Sequence, residues 1–581
     1  MPKTRTPEDN QIAQLDNEVA RLNKKIAKYE AIELKQNKFG LVWLDVPEAF
    51  EDDAENKLPI LEEVPKLAIN SKDGKPTHLL IEGDNYHALT CLNYTHKGKV
   101  DVIYIDPPYN TGSDGFKYKD KRYLKEYPDG TEVPIEHPLR HSYWLSFMRK
   151  RIELAKELLA PQGVLFISID DNEMAQLKLL CDEVFNEKNT DIVIWKKIDP
   201  KYDKNTNAKI TKRTKRIHEF ILVAYKDKDS TTFEKIRKIP NWLNKYTNPD
   251  NDPRGAYKQG IISFEEGHDN EDKKSEYYYT ILTPSGRKIT RQFFVKKDEF
   301  KNLLDDNRIY FPKNGAGIPA LKIFENEEKD FYFETILEGL GSLNYGKKEL
   351  ADIFGVSEDD VPFSTPKPTK LIKEMIRSSA GNDAIVLDFF AGSGTTGHAV
   401  MDLNREDTGN RQFILVTNND EIVNGQEHKI MTDICYPRIK KVIKGYNGNM
   451  GLGNSVKYFR TAFVGKNNIL RADDADKIEL AHNAGGMLAI AENTLDQLEE
   501  NDHWQIFEGD KRNTAVYFKE EFGEFDDFIE RVRKLKKPTS VYIFSWEKEL
   551  DFNEFEDDKN ITVKTIPQPI LEIYKQIYNL V

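Results

Sequence analysis

Four consecutive residues, Asp106-Pro107-Pro108-Tyr109, bring a carboxylate, two prolines and an aromatic ring together at the end of an apolar run. The run, residues 100–105, is rich in β-branched side chains and predicts a buried strand. The prolines keep the backbone extended and lack N–H groups, so the carbonyl groups here have no local partner. A carboxylate, open carbonyls and a ring suit a planar heterocycle with an amino group, such as the edge of adenine or cytosine. The simpler alternative is a rigid turn after a core strand.

A glycine-rich turn forms a second candidate site, far along the chain. It comprises Asp388-Phe389-Phe390-Ala391-Gly392-Ser393-Gly394-Thr395, between a short apolar strand at 384–387 and apolar residues at helical spacing. A strand, a glycine turn and a helix place backbone N–H groups and a helix dipole against an anionic ligand. A phosphate-binding P-loop is excluded, because no lysine closes the turn. Gly392, Gly394 and Gly397 also satisfy the dinucleotide fingerprint, so a nicotinamide-dependent oxidoreductase is an alternative that leaves the first motif unexplained.

Together the two motifs resemble those of the amino-methyltransferases that modify DNA bases with S-adenosylmethionine. In that family the Asp form of the first motif is typical of adenine-N6 enzymes, and a Ser form is typical of cytosine-N4 enzymes. The catalytic motif precedes the glycine loop, which is the order of the β group. The resemblance implies that the catalytic residues, which would hold the amino group of a flipped-out base, are Asp106, Pro107, Pro108 and Tyr109.

Two further segments resemble the cofactor site of that family. Residues 82–85 (Glu-Gly-Asp-Asn) are similar to the segment that holds the adenosine, and residues 363–369 (Phe-Ser-Thr-Pro-Lys-Pro-Thr) to the segment that contacts the methionine end. The resemblance implies that the loop N–H groups and Lys367 receive the methionine carboxylate. Asp388 would orient the amino group or the loop, Phe390 would lie against the adenosine, and Asp84 would orient the adenosine.

The complete set of cofactor-binding residues implied is Asp84, Asn85, Asn110, Thr365, Lys367, Pro368, Asp388, Phe390, Ala391, Gly392, Ser393, Gly394 and Thr395. The chain departs from the family pattern after the predicted strand at 413–416. Thr417-Asn418-Asn419 stand where the family often has an acidic residue for the cofactor ribose. Asp420 is the candidate for that role.

Four more segments narrow the resemblance to the modification (Mod) subunit of Type III restriction–modification systems. They are residues 39–43, 140–148, 166–173 and 566–570, and the likeness covers nearly the whole chain outside about 230–345. It implies a site-specific adenine methyltransferase that acts on double-stranded DNA, forms a homodimer and has a restriction (helicase–nuclease) subunit as its partner. A stand-alone adenine methyltransferase, a DNA-binding subunit without catalysis and an RNA substrate are the alternatives.

Bulk properties bound the class of protein. At 581 residues, the chain should divide into three or four domains. It has no apolar stretch long enough to span a bilayer and no signal peptide, and its three cysteines are far apart. We therefore expect a cytoplasmic protein with reduced cysteines, no metal site and no membrane partner.

The charge is acidic overall but unevenly distributed. A net charge of −13 argues against a uniformly basic DNA-coating protein. Residues 196–216 nevertheless hold nine basic and two acidic side chains. Contact with DNA phosphates is the preferred interpretation of this run, and a solvated loop is the alternative.

The pattern along the chain predicts a doubly wound, Rossmann-like α/β methyltransferase sheet with an inserted target-recognition domain and a small C-terminal α/β domain. The predicted boundaries are an N-terminal helix at 1–38, a catalytic half at 39–226, the insert at 227–362, a cofactor-binding half at 363–454 and the C-terminal domain at 455–581. Apolar residues at positions 12–29 form a heptad seam, which favours either a two-stranded parallel coiled coil or one helix packed on its own chain. The insert interleaves aromatic and basic residues over 277–297, which suits either DNA recognition or its own core.

Overall fold

The computed structural model describes residues 33–36, 42–45, 58–71, 73–110, 141–198, 214, 216–234, 247–324, 333–419, 421–423, 426–464, 474–518, 524–544, 555 and 557–566. The heptad seam at 12–29, Asp420 and most of the basic run at 196–216 lie outside the described residues. The chain divides into two compact units, one formed by Met1–Phe233 with Glu334–Val581 and the other by Glu234–Phe333.

The strands, in chain order, are β1 (Glu33–Gln36), β2 (Val42–Asp45), β3 (Leu58–Glu63), β4 (Thr77–Glu82), β5 (Val100–Ile105), β6 (Leu159–Ile169), β7 (Thr190–Lys196), β8 (His218–Tyr225), β9 (Tyr257–Ile261), β10 (Tyr278–Leu282), β11 (Lys288–Gln292), β12 (Ile309–Tyr310), β13 (Ala320–Phe324), β14 (Ile336–Leu337), β15 (Ile385–Asp388), β16 (Gln412–Thr417), β17 (Glu421–Val423), β18 (Gln426–His428), β19 (Gly445–Tyr446), β20 (Asn449–Met450), β21 (Ser455–Val464), β22 (Asp496–Glu500), β23 (Trp504–Glu508), β24 (Asn513–Tyr517), β25 (Thr539–Ile543) and β26 (Ile561–Lys564).

The α-helices are α1 (Asn85–His96), α2 (Ser142–Leu158), α3 (Met174–Phe185), α4 (Lys297–Asp305), α5 (Leu343–Phe354), α6 (Thr369–Ser379), α7 (Thr395–Asp407), α8 (Tyr436–Lys444), α9 (Asp474–Glu492) and α10 (Phe525–Arg533). A π-helical turn, Ile430–Cys435, leads directly into α8. In the part of the chain that the structure describes, every helix is too short or too polar to cross a membrane.

The first unit is built on a ten-stranded mixed sheet with the order β14-β7-β8-β6-β5-β15-β16-β4-β21-β3. The central strands from β6 to β21 in this order run parallel, whereas β8 and β3 are antiparallel to their neighbours. Helices α1, α2 and α3 pack together in one layer, and α6 and α7 pack against each other and the sheet. The predicted doubly wound α/β sheet is therefore confirmed.

Strand β5 shows why this sheet must be covered on both faces. Alternate side chains of the strand point to opposite faces, and nearly all of them are buried. Ile103 and Ile105 join a core with Leu89 and Met148 from the first helix layer. Continuous apolar strands of this kind are typical of parallel sheets that carry helices on both sides.

The order of the strands creates a switch point between β5 and β15. From β5 the chain passes through α2 to β6 on one side, and from β15 it passes through α7 to β16 on the other. Strands β5 and β15 pair directly, with Val102 opposite Val386 and Ile103 opposite Leu387. Ligands of open α/β sheets bind outside the carboxyl ends of strands at such a point. Asp106 and Asp388 lie at these two carboxyl ends.

The second unit has a core of its own. It contains a three-stranded antiparallel sheet, β12-β13-β9, an antiparallel hairpin, β10–β11, and helix α4. Tyr279, Phe293 and Phe300 pack together inside it, whereas Phe294 is exposed. Part of the aromatic series at 277–297 thus serves the core of this unit.

The observed units differ in extent from the predicted boundaries. The second unit, Glu234–Phe333, is narrower than the insert at 227–362, because β14 pairs with β7 in the main sheet. Strand β21, which follows the predicted boundary at 455, also belongs to the main sheet. Residues 33–36, placed in the predicted N-terminal helix, form a strand that pairs with Val42–Asp45. The functional roles of these domains stay predictions.

The C-terminal sheet, β22-β23-β24-β25-β26, is joined to helix α9 by a buried carboxylate. Glu492, at the end of α9, accepts hydrogen bonds from Lys564 Nζ at 2.7 and 2.8 Å, Tyr542 Oη at 2.7 Å and Arg512 Nη1 at 3.0 Å. Burial alone would raise the pKa of Glu492, but the hydrogen bonds from Lys564 and Tyr542 outweigh it and hold the pKa at about 2. The ionised carboxylate therefore stabilises this part of the fold.

We expect Glu492→Gln to lower the free energy of unfolding by about 1.5–3 kcal/mol near neutral pH, because the mutation removes the charged acceptor shared by Lys564, Tyr542 and Arg512. Since the folded pKa lies below the unfolded value of about 4.3, the stabilisation is present above that value and is lost as pH falls towards 2. Urea unfolding of mutant and wild type should therefore converge on acidification. Glu508→Gln is the control, because Glu508 forms an exposed pair with Lys537 worth about 1 kcal/mol or less. An equal effect of both mutations would contradict the assignment.

Candidate active site

The corner after β5 is rigid because of the two prolines and one tryptophan. The buried Trp144, on α2, donates its Nε1–H to the carbonyl oxygen of Pro108 at 2.7 Å. At the end of the motif, Asn110 adopts a left-handed conformation with φ 55° and donates to Glu173 Oε1 at 2.5 Å. These contacts fix Asp106–Tyr109 along the edge of the sheet.

The Asp106 carboxylate lies in an ion pair with a distant lysine. Lys367 Nζ donates to Asp106 Oδ1 at 2.7 Å and to Oδ2 at 2.6 Å. Tyr109 Oη donates to Asp106 Oδ1 at 2.7 Å and accepts from Lys367 Nζ at 3.0 Å. The sequence predicted that Lys367 receives the cofactor carboxylate, and this role stays a prediction. In the structure the Lys367 ammonium group contacts the catalytic motif.

Two more charges complete this network. Glu219 lies near the amino-terminal end of β8 and is 4% exposed. Its Oε2 lies 3.5 Å from Lys367 Nζ. Lys197 Nζ lies 3.2 Å from Glu219 Oε1. We call Asp106, Lys367, Glu219 and Lys197 the charge cluster. Glu219 was missed in the sequence, where only its position at the start of a predicted strand could have indicated it. Lys197 belongs to the basic run at 196–216, for which the sequence favoured contact with DNA phosphates.

Burial and neighbouring charge act in opposite directions on these groups. Burial raises the pKa of Asp106 above its ordinary value, while the Lys367 ammonium opposes the rise. Burial alone would lower the pKa of Lys367, but attraction to Asp106 and Glu219 outweighs it and raises that pKa. Burial alone would raise the pKa of Glu219, but Lys367 and Lys197 hold it below its usual range. Neighbouring charge therefore favours the ionised forms of Lys367 and Glu219, and the Lys367 ammonium limits the rise that burial produces in the pKa of Asp106.

The glycine turn after β15 is held by hydrogen bonds from a buried arginine. Gly392 and Gly394 have φ values of 48° and 76°, in the left-handed region that favours glycine. A side chain at Gly392 would also crowd the ring of Phe363, with its Cβ 3.0 Å from Cζ. Arg438, fully buried on α8, donates to Thr395 Oγ1 at 2.7 Å and to Ser393 Oγ at 3.1 Å. Arg438 was also missed in the sequence, because it lies more than 40 residues from the loop.

Asp388 ends β15 and holds the start of the turn. Its Oδ1 accepts from the Phe390 N–H at 3.0 Å and its Oδ2 from Thr396 Oγ1 at 2.5 Å. Burial raises the pKa of Asp388 to about 7, although both hydrogen bonds oppose the rise. In contrast to Asp106, this carboxyl group has no lysine or arginine among the described groups that shift its pKa.

The segment at 83–85 is organised by a second buried arginine. Asp84 caps α1 by accepting from the Tyr86 N–H at 2.8 Å, and Arg151 Nη2 lies 3.3 Å from Asp84 Oδ1. Asn85 Nδ2 donates to the carbonyl oxygen of Phe389 at 3.0 Å, which links this segment to the glycine turn. Asp84 and Asn85 therefore position the turn as well as lining the space beside it.

The proline corner, the glycine turn and the segment at 83–85 all line one cavity of about 460 Å³. The predicted residues that line it are Asp84, Asn85, Asp106, Pro107, Pro108, Tyr109, Asn110, Thr365, Lys367, Asp388, Phe390, Ala391, Gly392, Ser393 and Thr395. Phe363, from the predicted segment at 363–369, and Lys197, from the basic run, also line it. Lining residues for which the sequence predicted no role include Tyr104, Trp144, Glu219, Leu343 and Ile430. Pro368 and Gly394 do not line the cavity, because Pro368 precedes α6 and the Cβ position of Gly394 faces Cys435.

The end of β16 contributes a polar group to the same cavity. Asn418 lines it, and its buried Oδ1 has no hydrogen-bond partner among the described residues. Asn419 Nδ2 instead donates to Glu82 Oε1 at 2.6 Å, so this side chain is engaged by the neighbouring strand. Asp420, the predicted ribose ligand, lies outside the described residues.

The residues present fit S-adenosylmethionine. The glycine turn with its N–H groups and the buried Asp388 suit the carboxylate and ammonium groups of a methionine moiety. Phe363, Phe390 and Ile430 offer apolar surface for a ring, and the Asn418 oxygen offers an acceptor for a hydroxyl group. The volume is in the range of small-molecule sites.

Comparisons with known proteins agree with this chemistry. A family model described as DNA methylase matches residues 100–431, more than half of the chain. The Type III restriction-modification enzyme StyLTI Mod subunit of Salmonella typhimurium is 36% identical over 73% of this chain and 67% of its own length. The EcoP15I Mod subunit of Escherichia coli is 31% identical over 67% of this chain and 66% of its own length.

A solved complex of M1.HpyAVI with S-adenosylmethionine covers 62% of this chain and 98% of that protein, at 16% identity and a TM-score of 0.28. A likeness this weak supports no conclusion by itself. The family model and the Mod relatives confirm the resemblance that the two motifs carried. The chain belongs to the DNA methylase family and, within it, to the Mod subunits of Type III restriction-modification enzymes.

Proposed function

We propose that the cavity at the ends of β5 and β15 is the site where this adenine-specific DNA methyltransferase transfers a methyl group from S-adenosylmethionine to adenine N6. The observation that carries the proposal is the direct pairing of the two strands. The pairing brings the end of the catalytic motif and the glycine turn into one cavity although about 280 residues separate them. One motif can therefore hold the acceptor nitrogen while the other holds the donor.

The donor side is formed by the glycine turn and its supports. When bound, S-adenosylmethionine supplies a methyl group made electrophilic by its sulfonium. The N–H groups near Gly392–Thr395 would hold a carboxylate, since Arg438 and the start of α7 make this turn electropositive. Asp388 would accept from the cofactor ammonium group, Phe390 would lie against the adenosine, and Asn418 would accept a ribose hydroxyl group.

The acceptor side is formed by Asp106–Tyr109. N6 of adenine is a poor nucleophile, because its lone pair is delocalised into the ring. Asp106 and the carbonyl of Pro107 would each accept one N–H, which favours a tetrahedral nitrogen with its lone pair directed at the methyl group. Trp144 already occupies the carbonyl of Pro108, so the adjacent carbonyl is the one left for the base. The proton that the nitrogen loses on methylation would leave by way of the Asp106 carboxylate.

The target base must leave the DNA stack to reach this site. Flipping costs a few kcal/mol, which binding of the rest of the duplex must offset. Tyr109 would stack on the flipped base, a contact worth about 1–3 kcal/mol. Its ring is held by the Tyr109–Asp106 hydrogen bond, so stacking and amino-group recognition are set by the same residues.

Target recognition would come from the second unit, through the β10–β11 hairpin. Residues 278–292 contain Arg287, Lys288 and Arg291 and no acidic side chain. One face of the hairpin packs on the core through Ile281 and Ile289, while the other exposes Thr280, Leu282, Lys288 and Thr290. A two-stranded ribbon fits the DNA major groove, where lysine, threonine hydroxyl and apolar side chains contact base edges.

The partner assignments follow from the family. Relatives of this chain are named as Mod subunits of restriction-modification enzymes. We propose a separate restriction subunit that supplies helicase and nuclease activity, and a homodimer of the present chain. The N-terminal heptads, which would form the dimer, lie outside the described residues.

Asp106→Ala should abolish methylation, with a loss of at least about 10³-fold, because the amino group loses its charged acceptor. The reaction is measured with labelled S-adenosylmethionine and unmethylated DNA, followed by mass spectrometry of the nucleosides. Wild type should form N6-methyladenine, and the mutant should still bind the cofactor by calorimetry. Asp359→Ala, at an exposed position, is the control. N4-methylcytosine as the product, or an active mutant, would overturn the assignment.

The affinity for S-adenosylmethionine should rise roughly fivefold to tenfold between about pH 6 and about pH 7.5. The reason is that burial raises the pKa of Asp388 to about 7, whereas the cofactor ammonium group requires its carboxylate. Asp388→Asn should bind more weakly and lose this dependence, by calorimetry in a series of buffers. Asp383→Asn, at the other end of β15, should keep the wild-type slope. A wild-type slope in Asp388→Asn would place the titrating group elsewhere.

Lys288→Gln should weaken methylation of the target site by about 1–3 kcal/mol and relax the sequence motif at one position, if its ammonium group contacts a base edge. The motif is mapped by single-molecule sequencing of DNA methylated by each variant. Lys301→Gln, on the exposed part of α4 in the same unit, is the matched control. If Lys288→Gln methylates the same sequence motif at the wild-type rate, Lys288 does not take part in target recognition and the role proposed for the hairpin is wrong.

A further inference from the structure

Lys367 occupies the place that the target base needs. Its ammonium group contacts both oxygens of Asp106, and Tyr109 Oη donates to one of them. A carboxylate offers about four acceptor positions, and these contacts use three. An incoming amino group that donates to the Asp106 carboxylate therefore finds one acceptor position open beside the lysine and competes with the ammonium group for the same negative charge.

The backbone at Lys367 is held firmly in this position. Gly346 of α5 lies so close that a Cβ there would come within 2.2 Å of the Pro366 carbonyl oxygen. On the other side, the Thr369 N–H donates to Glu349 Oε2 at 3.0 Å. The lysine side chain can change its partner, whereas its Cα has little room to move.

A second acceptor for the ammonium group is already within reach. Glu219 Oε2 lies 3.5 Å from Lys367 Nζ, and Lys197 stabilises the same carboxylate. The charge cluster holds two negative and two positive groups. A shift of the ammonium group from Asp106 to Glu219 would leave that balance unchanged.

We propose that Lys367 is a positioning residue that caps Asp106 in the unbound protein and moves to Glu219 when the amino group of the target base arrives. This inference rests on the proposed role of Asp106 as the acceptor of the amino group. A dehydrated carboxylate without a counter-charge would take up a proton and lose that role. The lysine keeps it ionised until the substrate replaces the cation as its partner.

The charge cluster is not the whole surroundings of Asp106. The titratable and charged groups that face it or its direct partners are Tyr104 on β5, Tyr109, Lys367, Glu219 on β8, Lys197, Asp388 on β15 and Asp170 after β6. Lys367 and Glu219 both act on Asp106, contact each other and carry opposite charges. Tyr109 contacts all three groups, but through a hydroxyl group. Removing Lys367 should therefore raise the pKa of Asp106, and removing Glu219 should lower it.

The test compares Lys367→Met, Glu219→Gln and the double mutant by the pH dependence of methylation, at saturating S-adenosylmethionine. The acid limb of kcat/KM for DNA reports the unbound protein, where the lysine caps Asp106. We expect Lys367→Met to move this limb up by about 1–3 pH units and Glu219→Gln to move it down. The double mutant should return towards wild type. The acid limb of kcat, which reports the complex with DNA, should move less, because in that complex the Lys367 ammonium group has left Asp106.

A second signature is a rise in KM for DNA in Glu219→Gln with kcat largely kept, since the ammonium group has lost its second acceptor. Cofactor affinity by calorimetry shows whether each variant is folded, and Lys348→Met, at an exposed site on α5, is the control. If Lys367→Met does not fold, Glu219→Gln alone tests the inference, through the direction in which its acid limb of kcat/KM moves and through its KM for DNA. Limbs that coincide with wild type, or that move in the same direction, overturn the inference.

The two proposals can fail separately. An active wild type with an inactive Asp106→Ala and unshifted limbs would keep the methyltransferase site and reject the lysine exchange. A wild type that methylates no adenine would reject both, because the exchange has no meaning without the amino group.

Discussion

The active site depends on one carboxylate that must be dehydrated and ionised at the same time. Asp106 can hold an amino group strongly only in a cavity with little water, yet such a cavity favours its protonated form. Lys367 resolves this conflict with contacts at 2.6 and 2.7 Å, and Glu219 and Lys197 balance the added charge. The remaining elements of the fold keep these four side chains in contact. A substrate that brings its own N–H donors can then replace the cation without leaving the carboxylate alone.

The architecture of the sheet explains how distant segments meet there. Strands β5 and β15 belong to different parts of the chain and pair directly, so their carboxyl ends share one cavity. The chain leaves the sheet after β8 and returns at β14, and both strands neighbour β7 near the sheet edge. An insertion at this point leaves the pairing of the catalytic strands intact. The same core can therefore carry different inserted units, provided that each returns the chain to this edge.

The sequence was sufficient for the features that depend on local pattern. The apolar strands at 100–105 and 384–387, the proline corner and the glycine turn each follow from a few adjacent residues, and the resemblance carried the family. What escaped prediction depends on pairs of residues brought together by the fold. Lys367 and Asp106 are 261 positions apart, and nothing local distinguishes a lysine that contacts a cofactor from one that caps a carboxylate. The same holds for Arg438, whose helix reaches the glycine turn only in the folded chain.

Asp106 and Asp388, at the carboxyl ends of β5 and β15, illustrate how position within one sheet can assign different roles. The two strands are adjacent and parallel, and the Asp106 carboxylate adds to the rise that burial produces in the pKa of Asp388. A lysine accompanies Asp106 and opposes the rise that burial produces in the pKa of this carboxyl group. Asp388 has only a hydroxyl and an amide N–H, and burial raises its pKa to about 7. Two neighbouring carboxylates without a cation would repel each other, and Lys367 lies beside only one of them. A cofactor that brings an ammonium group to Asp388 supplies a further cation, which lowers the pKa of Asp388 and favours its carboxylate form when the cavity is loaded.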